Sequence, residues 1–313
     1  MRAKKTVFLL FFVLLLLVAN PSRYFDSVAR GVRIFAYSVL PSMLPYFFFT
    51  KLLTSIGGAE ALSRTVGRPV GKIYKVGGAC GYALVMSVLS GYPVGARILS
   101  DLCGQGLISE KDARKAASFC STSGSMFVLG SVGASILGDV KAAWVILVAH
   151  YLGALLNGVL YCSFGKGGGG RFLPLLPSKN ADDVLAGAMY ESVISLALVG
   201  GFIAVCNLSA DMVSDLLKWL GWKIEEGSVL GATVFSLFEV TRGCMLFSSC
   251  DLPRAVKTAC AAAAVSFGGL SVLLQSLAFL GKCGVKAWKM TLMKATQAAL
   301  TFGICLAAGV WIL

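Results

Sequence analysis

Ser90-Gly91-Tyr92-Pro93-Val94-Gly95 and Ser121-Thr122-Ser123-Gly124 break one apolar stretch twice. Glu239-Val240-Thr241-Arg242-Gly243 and Ser266-Phe267-Gly268-Gly269 break a second stretch at matching places about 145–149 positions later. In each stretch the two breaks lie about 30 residues apart, and a last apolar run follows, ending near Tyr161 and near Leu306. Proline removes a backbone donor and glycine loosens the chain, so such segments unwind a helix. Lipid offers no partner to the N–H and C=O groups thus freed, so they must lie inside protein or beside water. Paired interruptions at corresponding positions of two hydrophobic halves point to a binding site made of discontinuous membrane helices. The pattern predicts an all-α integral membrane protein of two broken-helix, re-entrant repeats that holds something polar at mid-depth.

Composition agrees. Hydrophobic residues make up 57% of the 313 and charged residues 14%, with a mean hydropathy of +0.80; a soluble domain carries about a quarter charged residues. Val32–Ile56, Ala142–Cys162, Ala186–Val205 and Lys286–Leu306 approach or exceed the roughly 20 apolar residues that cross a bilayer. The net charge of +13 does not indicate nucleic acid, because the cations are scattered between apolar runs. Arg64, Arg68, Lys72 and Lys75, then Lys282, Lys286, Lys289 and Lys294, read as basic flanks that orient helices and meet anionic headgroups. Ten cysteines form no CxxC pair and sit mostly in apolar runs, where cysteine is a small hydrophobe. The single histidine, His150, is expected to make an interhelical hydrogen bond rather than to ligate metal.

Met1-Arg2-Ala3-Lys4-Lys5 followed by Val7–Ala19 has the form of a signal peptide, but bulky Leu17 and the early Pro21 disfavour cleavage. An uncleaved first span with its basic end in the cytoplasm is expected. Ser22–Arg33 reads as an interfacial helix that turns before Val32–Ile56 crosses, with Pro41 and Pro45 as kinks and Gly57–Lys75 as a basic connection. Val76–Leu89 and Ser125–Leu137 are too short to span, and Ser109 with Asp112 forms a capping box opening a helix at Glu110–Cys120. Gly167–Gly170 with Pro174, Pro177 and Asn180 reads as a linker. The second half follows the same scheme: a span at Ala186–Val205, an interfacial piece at Ala210–Trp222, and a short arm at Val229–Phe238. A helix at Pro253–Val265 and a second short arm at Leu270–Leu280 precede the closing span. The expected organisation is an anchor at 1–37, a first repeat at 38–163, a linker at 164–184 and a second repeat at 185–313.

Ser90–Ala96, Gly106-Leu107-Ile108-Ser109, Ser118–Cys120 leading into Ser123-Gly124, Phe238–Gly243, and Ser266–Ser271 with Gln275 carry a resemblance to the nucleoside recognition, or Gate, domain family. Within it the closest group is that of the sporulation integral membrane protein YlbJ. The resemblance spans nearly everything after Ser38. It implies a polytopic bacterial inner-membrane protein, related to concentrative nucleoside transporters and to the gates of ferrous-iron transporters, with an association with sporulation. The chain departs from the family pattern at Ser121-Thr122, where an asparagine pair is expected. It departs again at Arg242, where a small polar residue is usual, and at Leu273, where histidine is expected.

The breaks suggest the chemistry. Half-helix starts offer N–H groups to anions and half-helix ends offer C=O groups to cations. Ser121, Thr122, Ser123, Ser266 and Ser271 add hydroxyls that donate and accept, and Tyr92 and Phe267 present rings that either stack on a base or pack on neighbouring helices. Glu239 and Arg242, at i and i+3, can face one another on a helical turn. They then form a structural ion pair, or a coupling-ion or proton site with Arg242 as counter-charge or anion contact. The candidate ligand residues are Gly91, Tyr92, Pro93, Gly95, Ser121, Thr122, Ser123, Gly124, Glu239, Thr241, Arg242, Gly243, Ser266, Gly268, Gly269, Ser271 and Gln275. No motif for an enzyme, a metal or a cofactor emerges. Expected partners are the bilayer and a small polar solute or ion, with self-association or other sporulation membrane proteins beside them. Two readings stay open: a transporter-like protein for a nucleoside-like solute, and a non-transporting sporulation component that acts through protein partners.

Overall fold

The computed structural model describes residues 2–56, 58–163, 181–222 and 224–313, and all regular structure among them is helical. The expected linker lies almost wholly outside the described residues. Helix α1 (Arg2–Ala19) leaves Phe8, Leu10, Phe11 and Leu14 exposed, as a lipid-facing helix would. Helix α2 (Pro21–Ile34) follows, buries Tyr24, Ser27, Gly31 and Ile34, and does not turn at the interface. It passes through a wide π-turn at Phe35–Val39 into α3 (Leu40–Ser55), giving one span, Pro21–Leu53. The π-turn sits directly before Pro41, whose ring would clash with a carbonyl one turn back; loosening the helix there removes the conflict.

The presumed connection at Gly57–Lys75 is instead helix α4 (Gly58–Tyr74). Its apolar side, Val70 and Tyr74, is buried, and its Gly67 touches the backbone of Gly81, where an added Cβ would lie 2.6 Å from the Gly67 Cα. Helices α5 (Cys80–Ser90) and α6 (Val94–Gly104) form a hairpin. Helix α7 (Glu110–Ala116) opens with the expected capping box, Ser109 Oγ accepting from Asp112 N at 3.1 Å. Non-helical chain at Ser121–Gly124 separates α7 from a π-helical arm at Phe127–Leu137, and α8 (Val140–Cys162) completes the half.

Helix α9 (Ala181–Trp219) is a single run of 39 residues, so the expected interfacial piece at Ala210–Trp222 is its continuation. Helices α10 (Val229–Phe238) and α11 (Val240–Ser249) form the second hairpin, hinged at Glu239 alone. Helices α12 (Arg254–Phe267) and α13 (Gly269–Leu280) are one crossing broken at Gly268, and α14 (Ala287–Ile312) closes the chain.

Charged contacts define the two ends. Arg254 pairs with Asp139 and reaches the Leu313 carbonyl, while Arg242 and Arg30 meet Glu226. Those contacts gather the starts of α8, α10 and α12 and the end of α14 at one face. At the other face Arg114 and Glu110 lie against Gly284, whose sequence neighbours include Lys282 and Lys286, and Lys111 and Lys289 share a cavity with Arg114. The α5–α6 hairpin opens to this basic face and the α10–α11 hairpin to the opposite one. The two hairpins therefore point in opposite directions, and all four breaks meet between the faces.

Candidate functional site

Each hairpin tip rests on the helix break of its own half. An added Cβ on Gly91 (φ +75°) would stand 2.3 Å from Gly124 N, and one on Gly269 would stand 2.9 Å from the Ser236 carbonyl. Gly95 and Gly243 are equally confined, by the Cys120 carbonyl at 2.1 Å and the Ser236 Cβ at 2.2 Å. These glycines let backbone approach backbone. At Gly268 the reason is conformational, a φ of +83° that ends α12.

The freed backbone groups find partners inside the protein. Ser87 Oγ accepts from Thr122 N at 3.0 Å and bonds Thr122 Oγ1 at 2.7 Å. Ser123 N donates to His150 Nε2 at 2.9 Å; that nitrogen is then unprotonated, and Nδ1 donates to Ser266 Oγ at 2.7 Å. His150 thus joins the second breaks of the two halves, the interhelical role expected of it. Tyr151 OH donates to the Val88 and Ser123 carbonyls at 3.1 and 3.2 Å.

In the second half Glu239 caps α11, accepting from Thr241 N at 3.0 Å and Arg242 N at 2.7 Å. Arg242 takes its counter-charge elsewhere. Its guanidinium donates to Asp211 at 2.8 Å, Glu226 at 2.9 Å and Asn207 at 3.4 Å, and stacks 4.0 Å from the Phe235 ring centre. Ser27 adds a hydrogen bond of 2.5 Å to Asp211. The i, i+3 pairing of Glu239 with Arg242 is corrected accordingly: the spacing sits at a helix start, where carboxylate oxygens satisfy backbone N–H groups first.

Lys294 is a further correction. It is not a basic flank but lies inside α14, 1% exposed. Its Nζ donates to Tyr92 OH at 2.6 Å, the Ser121 carbonyl at 2.9 Å and Gln297 Oε1 at 2.9 Å. None of these partners is a carboxylate; the three oxygens match the three N–H bonds of an ammonium, and two belong to breaks of the first half. The signal in the sequence was the stripe Lys294, Gln297 and Thr301, spaced i, i+3, i+7 in an apolar run.

Between the breaks lies a chamber of about 40 Å³, room for a few waters or an ion. Tyr92, Ser123, Gly124, Glu239, Thr241, Ser271 and Gln275 line it, so seven of the sequence-predicted residues meet there. The Thr241 hydroxyl is wholly buried and unpartnered among the described residues. Gln275 donates to Ser271 Oγ at 3.1 Å and also lines a second cavity of about 390 Å³. That vestibule is walled by Pro93, Arg97, Asp101, Phe202 and the ion pair Lys51–Glu191, and its volume falls in the range of small-molecule sites. Gly91, Gly95, Ser121, Thr122, Arg242, Gly243, Ser266, Gly268 and Gly269 line neither cavity; they build the scaffold around them.

No family model matches the chain. It is 26% identical over 299 residues to "Sporulation integral membrane protein YlbJ" of Bacillus subtilis (strain 168), covering 86% of this chain and 73% of that one. Two solved structures of a concentrative nucleoside transporter, CNTnw, share the fold. One, in an inward-facing substrate-bound state, has a TM-score of 0.55 at 16% identity and covers 88% of this chain and 75% of that one. The other, a variant in an intermediate state, has a TM-score of 0.54 at 13% identity and covers 100% of this chain and 88% of that one. The chain is an all-helical, multi-pass membrane protein with the architecture of these transporters.

Proposed function

We propose that the chain binds and moves a small polar solute of nucleoside-like size, acting by binding and not by covalent catalysis. The solute enters the vestibule and engages Gln275 and, through it, the polar groups that line the chamber. One observation carries this reading: residues from both halves' breaks converge on one chamber, and Gln275 joins it to a vestibule of ligand size. The shared fold with a nucleoside transporter solved with substrate supports it. In this reading residues 38–163 and 185–313 are the two repeats and 1–37 an anchor. Glu239 and Thr241 are the polar contacts reached last, the carboxylate accepting from a hydroxyl or cation and the unpartnered threonine hydroxyl offering a bond to it.

A second reading is a membrane component of sporulation that transports nothing and works through protein partners. It is favoured by the small size of the chamber and by the name of the Bacillus relative. Reconstitution in liposomes separates the two. A panel of nucleosides, small acids and monovalent ions is offered, and flux and binding are read. The transport reading expects saturable uptake of a panel member, weakened about tenfold or more in Gln275→Leu, since a polar group lost from a buried contact costs about 1.5 kcal/mol. Absence of flux and binding across the panel, with membrane proteins co-purifying from sporulating cells, supports the second reading.

A further inference from the structure

Apart from the chamber, at the basic face, α7, the end of α8 and the first turns of α14 line a separate cavity of about 340 Å³. Its walls carry Lys111, Arg114, Lys115 and Lys289 beside Tyr161 and Trp288. Lys115 is the unusual member. It is 8% exposed, and its Nζ has no hydrogen-bond partner among the described residues. Its backbone cannot easily swing away, because the Lys115 carbonyl accepts from Ser118 Oγ at 2.7 Å and from Cys162 Sγ at 3.8 Å. No carboxylate among the described residues pairs with it directly. Asp112 is turned into the capping box with Ser109 at 2.9 Å, and Glu110 pairs with Arg114 at 3.0 Å on the exposed rim. A buried ammonium with no direct hydrogen bond or ion pair is a costly arrangement, so the cavity suits an anion.

We infer that this cavity is a binding site for a phosphate group, carried by the headgroup of an anionic lipid. Four cations around one cavity suit a phosphate: the guanidinium fork meets two oxygens and the lysines add point charges. The lipid source follows from the cavity's mouth. Trp288 is 61% exposed and Leu292 47% exposed, placing an indole at headgroup level and an apolar surface below it for an acyl chain. The positive-inside rule puts this face in the cytoplasm, where anionic lipids are met.

The test uses the full chain, purified in mild detergent and stripped of lipid. Thermal midpoint and retained lipid, by native mass spectrometry, are read with phosphatidylglycerol, phosphatidylcholine or inorganic phosphate added. Phosphatidylglycerol should raise the midpoint by about 3 °C or more and be retained, while phosphatidylcholine does neither. Lys115→Gln and, on the rim, Lys289→Gln should each cut retention about tenfold, as loss of one charge-assisted bond does. Two variants at different depths guard against a misfolded one, and Lys115→Gln without lipid should melt no lower than the parent. Equal retention of phosphatidylglycerol in both variants overturns the site. Stabilisation by inorganic phosphate as large as that by phosphatidylglycerol overturns the lipid as its source.

Discussion

Arg242 shows how much a single buried charge depends on its surroundings. Its side chain is 3% exposed and that of Asp211 5%, and removing one member of such a pair leaves the other stranded at a cost of about 3–5 kcal/mol. Arg242→Gln should lower stability by that order, and adding Asp211→Asn should recover part of the loss. Glu239→Gln should cost about 1 kcal/mol, since an amide oxygen still caps one of the two N–H groups. Double-mutant cycles by thermal unfolding in detergent check the order: strong coupling of Arg242 to Asp211 and weaker coupling to Glu239. A cycle in which Glu239 dominates would restore the pairing suggested by their spacing. Lys294→Met should likewise destabilise, by about 2–4 kcal/mol, because the Ser121 carbonyl and Gln297 Oε1 lose their donor inside the protein. An unchanged melting curve would show that water replaces it. At this scale the sequence was legible where a residue breaks a helix, as at Tyr92 and Glu239. It was not legible where a long side chain chooses a partner on another helix, as Arg242 and Lys294 do, because that choice is made by packing between segments far apart in the chain.

Among elements, the breaks are where close packing and unwinding meet. Gly91→Ala places a Cβ 2.3 Å from Gly124 N at a φ of +75°, so the variant should fail to accumulate in the membrane. Gly201→Ala, within α9 and with nothing within 4 Å of the new methyl, should be tolerated or stabilise by about 0.5 kcal/mol. Leu155→Val serves as a second control, costing no more than about 1 kcal/mol. Quantitative immunoblots of membrane fractions read all three, and normal levels of Gly91→Ala would remove the packing account of the first tip. The start of α8 adds a pH dependence. Burial alone would raise the Asp139 carboxyl, but its bonds to Ala142 N at 3.1 Å and to Arg254 at 2.7 Å hold it below the usual carboxylate range. A lowered pKa gives stability that is full above about pH 4 and lost as pH falls through the folded value. Thermal midpoints should therefore drop on acidification below about pH 4 by less in Asp139→Asn than in the parent. The elements themselves were mostly legible: Val229–Phe238 and the capping box at Ser109 appear as expected. Gly58–Tyr74 was hidden because Pro69 and its cations mimic a loop, while its apolar face declares itself only against α5.

For the whole molecule, the asymmetry of charge sets the orientation. Lys111, Arg114, Lys115, Lys282, Lys286 and Lys289 crowd one face, whereas Arg23, Arg30 and Arg254 at the other are matched by Asp215, Glu226 and Asp139. The basic face belongs in the cytoplasm, which places Leu313, bonded to Arg254 at the opposite face, outside it. A fluorescent-protein fusion at Leu313 should stay dark and an alkaline-phosphatase fusion should be active; the reverse pattern would invert the topology. The breaks were readable from spacing alone, because an interrupted helix leaves the same glycine-rich mark wherever it occurs. The opposite directions of the two hairpins were not, since they depend on how many crossings separate them, and α4 and the continuous α9 altered that count. Their opposition has a practical corollary for anyone seeking to jam this protein. A wedge driven between α5 and α6 has to arrive from the basic compartment, and one driven between α10 and α11 from the other. Any blocker that cannot cross the bilayer is thus restricted by anatomy to one hairpin, and its potency should depend on the side of the membrane to which it is added.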